Sequence, residues 1–447
     1  MNLIYGIKDK PKFSQMLVFA FQQVLAILAA TIAVPAIVGN GMSASAALFG
    51  AGVGTIVYQL FTRFRSPVFL GSSFAFISPM CAAFAGAVSA TAGFTGILLG
   101  AILAGLVYVV IALVIKAVGV NWVNKLMPPV VIGPTVALIG LTLASAAISD
   151  VFSYGPKDGN GAFIMSPALW ASLICALVTL FAVILFSTYG KKMVKLIPFI
   201  LGILTGYVVA AIFTVIGIAT GNDALKVIDF SLFADVRVFA IPDFTFVKAI
   251  QGIRDVDGSY FLTVLVAYVP VAFVVFAEHI ADHKNLSSII GTDLLEDPGL
   301  HNTLLGDGVG SIAGAFFGGC PNTTYGESVG CVAITRNASV VTITTAAVMC
   351  ILISFFGPFV AFLDSIPGCV MGGVCITLYG FIACSGLKMI QKVDLNQNKN
   401  LFVAAVILIT GIGGMAMAIG KVTLTTTACA LILGILTNTF LSKAQES

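Results

Sequence analysis

The stretch 321-PNTTYGESVG-330 decides how this chain folds. It is a polar, turn-prone run that contains Tyr325 and Glu327, and apolar sequence lies on both sides of it. A transmembrane helix needs about 20 apolar residues in succession, so this run interrupts one. Backbone that leaves the helix at membrane depth is tolerated only where protein or a water-filled cavity satisfies its N–H and C=O groups. The stretch therefore predicts a broken span beside an internal cavity.

The composition around this stretch is that of a polytopic membrane protein. Of the 447 residues, 59% are hydrophobic and 9% are charged, whereas about a quarter of the residues in a soluble domain are charged. The net charge of +3 comes without a dense basic run and gives no indication of a nucleic-acid partner. There is no Walker A motif for ATP, and the nine cysteines form no CxxC pair. We expect no cofactor and no metal.

Fourteen apolar segments are long enough to be complete or interrupted spans. They lie near 16–38, 43–61, 66–84, 92–117, 128–149, 166–187, 195–218, 259–284, 301–319, 320–336, 339–363, 367–390, 398–418 and 423–441. If the N-terminus is cytoplasmic, alternation places only six of the 22 basic residues outside, namely Lys157, Lys226, Arg237, Lys248, Arg254 and Lys421. This asymmetry follows the positive-inside rule and predicts that both termini are cytoplasmic.

The longest polar connection, 219–258, divides the chain into two halves of seven spans, 1–218 and 259–447. An odd number of spans per half forces the halves into the membrane in opposite senses, which is the inverted repeat of many secondary transporters. The third span of each half is interrupted, by 68-VFLGSSFAFISP-79 and by 317-FGGCPNTTYGES-328. Broken spans at matching positions indicate a binding site between the two halves.

Two glutamates lie in the spans of the second half. Acidic side chains inside a membrane are costly and are therefore candidate functional residues. Glu278 is in the first span of that half, and Glu327 is in the broken third span. The alternative for Glu327 is the rim of a loop. The alternative for Glu278 is a solvated cytoplasmic helix end, to which we assign His279 and His283 in preference to a zinc site.

Two carboxyl groups beside Tyr325 and free backbone N–H groups suit a small, flat, uncharged ligand with several N–H donors. A carboxylate only accepts hydrogen bonds, whereas a protonated carboxyl also donates one, so either glutamate offers a route for proton coupling. An anionic ligand would require Arg or Lys, which the two interrupting stretches, 68–79 and 317–328, lack. An anion transporter and an intramembrane enzyme are the more distant alternatives, and the spans show no nucleophile–base pair for the latter.

Several motifs resemble one known family. They are 71-GSSFAFISP-79, 277-AEHI-280, 293-DLLEDPGLH-301, 321-PNTTYGE-327, 333-AITR-336 and 366-IPGCVMGG-373. Together they resemble the nucleobase–ascorbate transporters, also called nucleobase–cation symporters of the second class, and within that family the bacterial uracil permeases. The resemblance covers essentially the whole chain.

The resemblance implies an all-α membrane fold of fourteen spans in two inverted seven-span repeats. It places spans 1–4 and 8–11 in a core domain and spans 5–7 and 12–14 in a gate domain. The third and tenth spans would each contain a short strand, and the two strands would pair antiparallel. It further implies a homodimer in the cytoplasmic membrane that imports uracil with H⁺. The nearer alternative is a permease for xanthine, urate or another nucleobase.

The resemblance also implies roles for individual residues. Glu278 and Glu327 would bind the uracil ring, and the backbone amides of Phe74 and Gly326 would contact its carbonyl oxygens. Tyr325 would line the pocket. In addition, Tyr379 would approach the ring from the gate domain, and Glu327 would be linked to protonation.

Three positions depart from the pattern of that family. Gln23 and Asp282 stand where many members have histidine, and Ser328 follows the second glutamate where the family has asparagine. Asp282 lies four residues after Glu278 and therefore on the same helix face. It would repel an ionised Glu278, but it can still relay protons. We therefore expect proton coupling through Glu278, Asp282 and Glu327 by a modified route.

Overall fold

The protein is described by a computed structural model that covers residues 3–119, 122, 128–191, 193–234, 236–419 and 422–441. Lys421, which the predicted topology places outside, is not among these described residues. The helices are α1 (Phe13–Val38), α2 (Ala44–Phe61), α3 (Ile77–Gly86), α4 (Ala90–Val118), α5 (Pro129–Thr142), α6 (Ala144–Val151), α7 (Pro167–Tyr189), α8 (Met193–Leu196), α9 (Pro198–Thr220), α10 (Thr245–Gly252), α11 (Gly258–Ile290), α12 (Leu300–Gly318), α13 (Gly326–Thr335), α14 (Val340–Ile353), α15 (Gly357–Asp364), α16 (Gly368–Ile390), α17 (Asn398–Ile412) and α18 (Thr426–Leu441). The strands are β1 (Leu70–Ser72), β2 (Asn322–Thr324), β3 (Met417–Ile419) and β4 (Val422–Leu424).

The chain is a mostly helical, multi-pass membrane protein. Eight helical stretches of the described residues are long and apolar enough to cross a membrane: α1, α2, α4, α5 with α6, α7, α9, α11 and α16. Each of the remaining predicted segments contains a helix that is shorter or less apolar than these.

Side-chain caps and prolines fix where several of these helices begin. Ser89 accepts a hydrogen bond from the N–H of Ala92 at the start of α4 (3.1 Å), and Asp257 accepts one from the N–H of Tyr260 at the start of α11 (2.7 Å). These contacts satisfy N–H groups that have no partner within the helix. Pro167 begins α7 and Pro198 begins α9, where the fixed φ of proline suits the first helical position.

The two broken segments meet at the centre of the fold. β1 and β2 pair antiparallel, with Leu70 opposite Thr324 and Ser72 opposite Asn322. This confirms the short antiparallel strands that the resemblance implies. Strands of three residues are anchored by neighbouring helices: the N–H of Leu70 donates to Oγ1 of Thr55 in α2 (2.9 Å), and Nδ2 of Asn322 donates to the carbonyl oxygen of Gly50 (3.2 Å).

Two of the differences from the sequence-based spans concern where a helix ends. α11 continues to Ile290, six residues past the predicted end at 284. The predicted span 398–418 is helical only to Ile412, because Gly413 and Gly414 follow and Gly414 has a φ of +73° that ends a right-handed helix. The chain then forms β3, which pairs antiparallel with β4.

Candidate functional site

A cavity of about 400 Å³ lies beside the paired strands. One of its walls is polar and is built by the ends of β1 and β2 together with α11. The opposite wall is mostly apolar and is built by α5, α9 and α16. The apolar wall consists of Val136, Ile139, Phe199, Leu378, Phe381, Ile382 and Met389, with Ser385 as its polar side chain.

Both strands lead directly into helix starts at the polar wall. Phe74 begins a 3₁₀ turn that continues into α3, and Gly326 is the first residue of α13. The first N–H groups of a helix have no partner within it and carry partial positive charge. Both residues line the cavity. The polar wall therefore offers backbone donors to a carbonyl oxygen from two sides.

The carboxyl groups of the polar wall come from two elements. Glu278 and Asp282 are one turn apart on α11, and Glu327 is the second residue of α13. All three line the cavity. Glu278 is exposed to it, whereas Asp282 and Glu327 are half-buried. The hydroxyl of Thr324 in β2 donates to Oδ2 of Asp282 (2.7 Å), which joins α11 to the strand pair.

Tyr325 connects the two broken segments. Its hydroxyl donates to the carbonyl oxygen of Ser72 (2.7 Å), and its N–H donates to that of Phe69 (3.3 Å). The ring lies where a Cβ on Gly71 would be, since that atom would fall 2.4 Å from ring carbons of Tyr325. Glycine at position 71 is therefore required for this approach.

Six of the seven predicted site residues line this one cavity: Phe74, Glu278, Asp282, Tyr325, Gly326 and Glu327. Tyr379, the seventh, does not line it. The Tyr379 side chain is only 2% exposed, and its ring lies edge-on to the ring of Phe74, with 6.1 Å between the ring centroids. The structure therefore places Tyr379 behind Phe74.

Two of the departures from the family pattern contact each other. Nε2 of Gln23 in α1 donates a hydrogen bond to Oγ of Ser328 in α13, and both side chains are buried. Ser328 directly follows Glu327, so this contact ties α1 to the helix start that carries the second glutamate. The two residues are 305 positions apart in the chain, and no local pattern relates them.

The interpretation of His279 and His283 as a solvated helix end is wrong. Both side chains are fully buried, because α11 continues past them to Ile290 and the neighbouring helices α2 and α12 supply their hydrogen-bond partners. Nδ1 of His279 is hydrogen-bonded to Oδ2 of Asp307 in α12 (2.7 Å), and its Nε2 to the Thr303 hydroxyl (3.0 Å). Nε2 of His283 is hydrogen-bonded to the hydroxyl of Tyr58 in α2 (2.7 Å).

Sequence reasoning missed Asp307. It is a fully buried carboxylate within an apolar helix, and the same rule that singles out Glu278 applies to it. α11 thus presents Glu278 and Asp282 to the cavity and presents His279 and His283 to the neighbouring helices. Each pair is spaced by four residues, one helical turn.

Broken membrane helices around a central cavity are typical of secondary transporters. The Xan_ur_permease family model, described as Permease family, matches residues 14–420. The chain belongs to this permease family and is therefore a membrane transporter and not an enzyme.

Known relatives agree with this class, and a solved structure shares the fold. The uracil permease of Bacillus caldolyticus is 40% identical over 442 residues (98% of this chain and 94% of that protein), and the uracil permease of Bacillus subtilis (strain 168) is 38% identical over 445 residues (99% and 96%). The solved transmembrane domain of a cyanobacterium bicarbonate transporter, BicA, superposes with a TM-score of 0.63 at 18% identity, covering 97% of this chain and 100% of that one. That likeness shows a shared fold.

Proposed function

We propose that this chain is a proton-coupled uracil importer of the cytoplasmic membrane that works by alternating access. One observation carries the proposal: two glutamates and two helix starts line a single cavity at the paired broken segments. The choice of uracil among the nucleobases rests on the two Bacillus relatives, both of which are named uracil permease.

Uracil matches the donors and acceptors of the polar wall. The ring is flat and uncharged, with two N–H donors and two carbonyl oxygens. Glu278 and Glu327 accept hydrogen bonds from the ring N–H groups, and the backbone N–H groups of Phe74 and Gly326 donate to its carbonyl oxygens. Tyr325 holds the two broken segments together beside the uracil ring. Tyr379 does not contact uracil, but it packs against the Phe74 ring from the other side.

Proton coupling is supported by the crowding of carboxyl groups. Glu278, Asp282 and Glu327 share one cavity, and a protonated carboxyl can donate a hydrogen bond to a neighbouring carboxylate. The three groups can therefore hold a proton and pass it between them. Uracil binding then accompanies uptake of a proton, and Asp282 serves as the relay in place of the usual histidine.

The proposed motion divides the molecule between the two walls of the cavity. We assign the polar wall to a core of spans 1–4 and 8–11, and the apolar wall to a gate of spans 5–7 and 12–14, in two inverted repeats of seven. Antiparallel pairing of β1 with β2, one from each half of the chain, is consistent with such a repeat. Apolar side chains on the gate let it move past a fixed site without breaking polar contacts. We further propose a homodimer with both termini cytoplasmic.

The test is uptake of labelled uracil by uptake-deficient cells at acidic and neutral external pH, with and without a protonophore. We expect faster uptake at acidic pH, its collapse with protonophore, and its loss in Glu278→Gln and Glu327→Gln. Glu296→Gln is the matched control, because Glu296 is exposed and lies outside the cavity. A rate of uracil uptake that changes with neither pH nor protonophore would overturn the proposal of proton coupling.

A permease for xanthine, urate or another nucleobase is the second candidate, favoured by the family model that matches this chain. Competition of labelled uracil by a panel of unlabelled nucleobases separates the two. Uracil as the strongest competitor supports the first proposal, and a purine as the strongest competitor supports the second.

A further inference from the structure

One face of α16 runs from the substrate cavity towards a second cavity. The residues on this face recur at alternating intervals of four and three, which places them in one stripe along the helix. They are Met371, Cys375, Leu378, Ile382, Ser385 and Met389. Met371 and Met389 are about 27 Å apart along the helix axis at the usual rise per residue.

The two ends of this stripe line different cavities. Leu378, Ile382, Ser385 and Met389 line the substrate cavity. Met371 lines a smaller cavity of about 210 Å³, together with residues at the end of α1, at the start of α2 and between α15 and α16. Asp364 is the one ionisable side chain among the described residues that line this smaller cavity.

The segment of α16 between the two cavities is closed. Cys375 has no exposed surface, and Tyr379 is 2% exposed. The Tyr379 ring meets the Phe74 ring edge-on, with an angle of 77° between the ring planes. Phe74 itself lines the substrate cavity. The ring pair therefore joins the wall that carries the Phe74 amide to the wall formed by α16.

We infer that Tyr379 and Phe74 form the extracytoplasmic barrier of the transporter, and that the smaller cavity is the collapsed outer vestibule. The assignment of this barrier to the outer side of the membrane rests on the proposed function, because the topology proposed there places the start of α16 outside. Tyr379 is a positioning residue: it does not touch the ligand, and it acts by holding the Phe74 ring. In the opposite state the two rings separate, Cys375 faces the vestibule, and the carboxylate of Asp364 meets the incoming N–H donors.

Cys375 supplies a native reporter for this barrier. In a chain that keeps Cys375 and carries alanine at the other eight cysteine positions, a membrane-impermeant maleimide is applied to intact cells. We expect little labelling of the parent chain. Tyr379→Ala and Phe74→Ala each raise the labelling rate by about three- to tenfold, the factor expected from losing one aromatic pair. Tyr379→Phe keeps the ring and leaves the rate unchanged.

Phe381→Ala is the matched control. Phe381 lies on the same helix and lines the substrate cavity on the other side of the barrier, so its loss leaves the labelling of Cys375 from outside unchanged. An equal rise in Phe381→Ala and Tyr379→Ala would show general loosening of α16 and overturn the inference. Unchanged labelling in both Tyr379→Ala and Phe74→Ala would overturn it as well.

A second measurement uses the chain with all its cysteines. Cells preloaded with labelled uracil lose it faster through Tyr379→Ala than through the parent, because the outer barrier no longer closes, and equal loss contradicts the barrier. The labelling test does not require uracil to be the substrate. Raised labelling without any uracil transport would therefore leave the barrier in place and reject the proposed function.

Discussion

At the residue scale, the space for the Tyr325 ring depends on the missing side chain of Gly71. A Cβ at position 71 would lie 2.4 Å from the ring, so Gly71→Ala must push the ring or β1 aside. We expect a loss of about 1–3 kcal/mol of stability, the usual cost of overpacking, together with loss of uptake. Thermal unfolding of the detergent-purified protein and uptake in cells measure the two effects.

Gly330→Ala provides the comparison for this substitution. Gly330 lies in α13, four residues after Gly326, and a Cβ there would meet nothing within 4 Å. Alanine has the better helix propensity by up to about 1 kcal/mol, so this variant keeps or gains stability. If the two glycine variants behaved alike, the ring contact at Gly71 would have no special role.

Single acidic residues inside apolar spans can be identified from the sequence, whereas the contacts that such residues make cannot. Glu278 and Glu327 stand out because a charge in an apolar span is conspicuous, and six of the seven predicted site residues share one cavity. The burial of His279 depends on Asp307 from another helix, and the contact of Gln23 with Ser328 crosses most of the chain. Such pairings arise from packing, which local sequence does not encode.

At the element scale, β1 is held by α2 as well as by β2. The hydroxyl of Thr55 accepts from the N–H of Leu70 (2.9 Å) and donates to its carbonyl oxygen (3.2 Å). Thr55→Val keeps the shape and removes both bonds, so we expect a loss of about 1–3 kcal/mol and weaker uracil binding. Thr135→Val is the control, because the buried Thr135 hydroxyl donates to Val131 within its own helix (2.7 Å). Equal effects in unfolding and binding assays would contradict the anchor.

The contact between α11 and α2 gives a second prediction at this scale. The Tyr58 hydroxyl is fully buried and is hydrogen-bonded to Nε2 of His283 and to Oγ of Ser66 (2.8 Å). Tyr58→Phe leaves the imidazole without this partner, and we expect it to cost about 1–3 kcal/mol. Thermal unfolding measures this cost, and it should exceed any effect on the substrate affinity.

Tyr108→Phe is the matched control for Tyr58→Phe. Tyr108 is also buried, in α4, and its hydroxyl has no hydrogen-bond partner among the described residues. Removing that hydroxyl should leave stability unchanged or slightly raised. A loss as large as that of Tyr58→Phe would mean that the link between α11 and α2 contributes nothing specific.

The strands are so short that the local sequence pattern could not predict them. The breaks in the third and tenth spans are visible as polar runs, whereas β1 and β2 are three residues each, too short for the alternation by which strands are identified. Their pairing followed only from the family resemblance. The β3–β4 hairpin gave no such signal, because Met417–Ile419 continues the apolar composition of α17.

At the scale of the whole molecule, coupling requires that one carboxyl gain and lose its proton as the barrier alternates. With one proton per uracil, each pH unit across the membrane supports about tenfold accumulation. Gln has the shape of a protonated Glu and cannot ionise. If Glu327 is the coupling group, Glu327→Gln still exchanges labelled for unlabelled uracil across the membrane but no longer accumulates it in response to a pH gradient.

Counterflow in vesicles, with and without an imposed pH gradient, measures the two activities separately. Glu278→Gln should lose both, because Glu278 is the carboxyl most open to the cavity and its acceptor oxygens are needed in every bound state. Glu296→Gln, on the exposed surface, should keep both. Accumulation that persists in Glu327→Gln would mean that Glu278 and Asp282 on α11 carry the coupled proton instead. The Thr324 hydroxyl donates to Oδ2 of Asp282 (2.7 Å) and so joins this pair to the strands. Asp282→Asn would then become the variant that exchanges without accumulating.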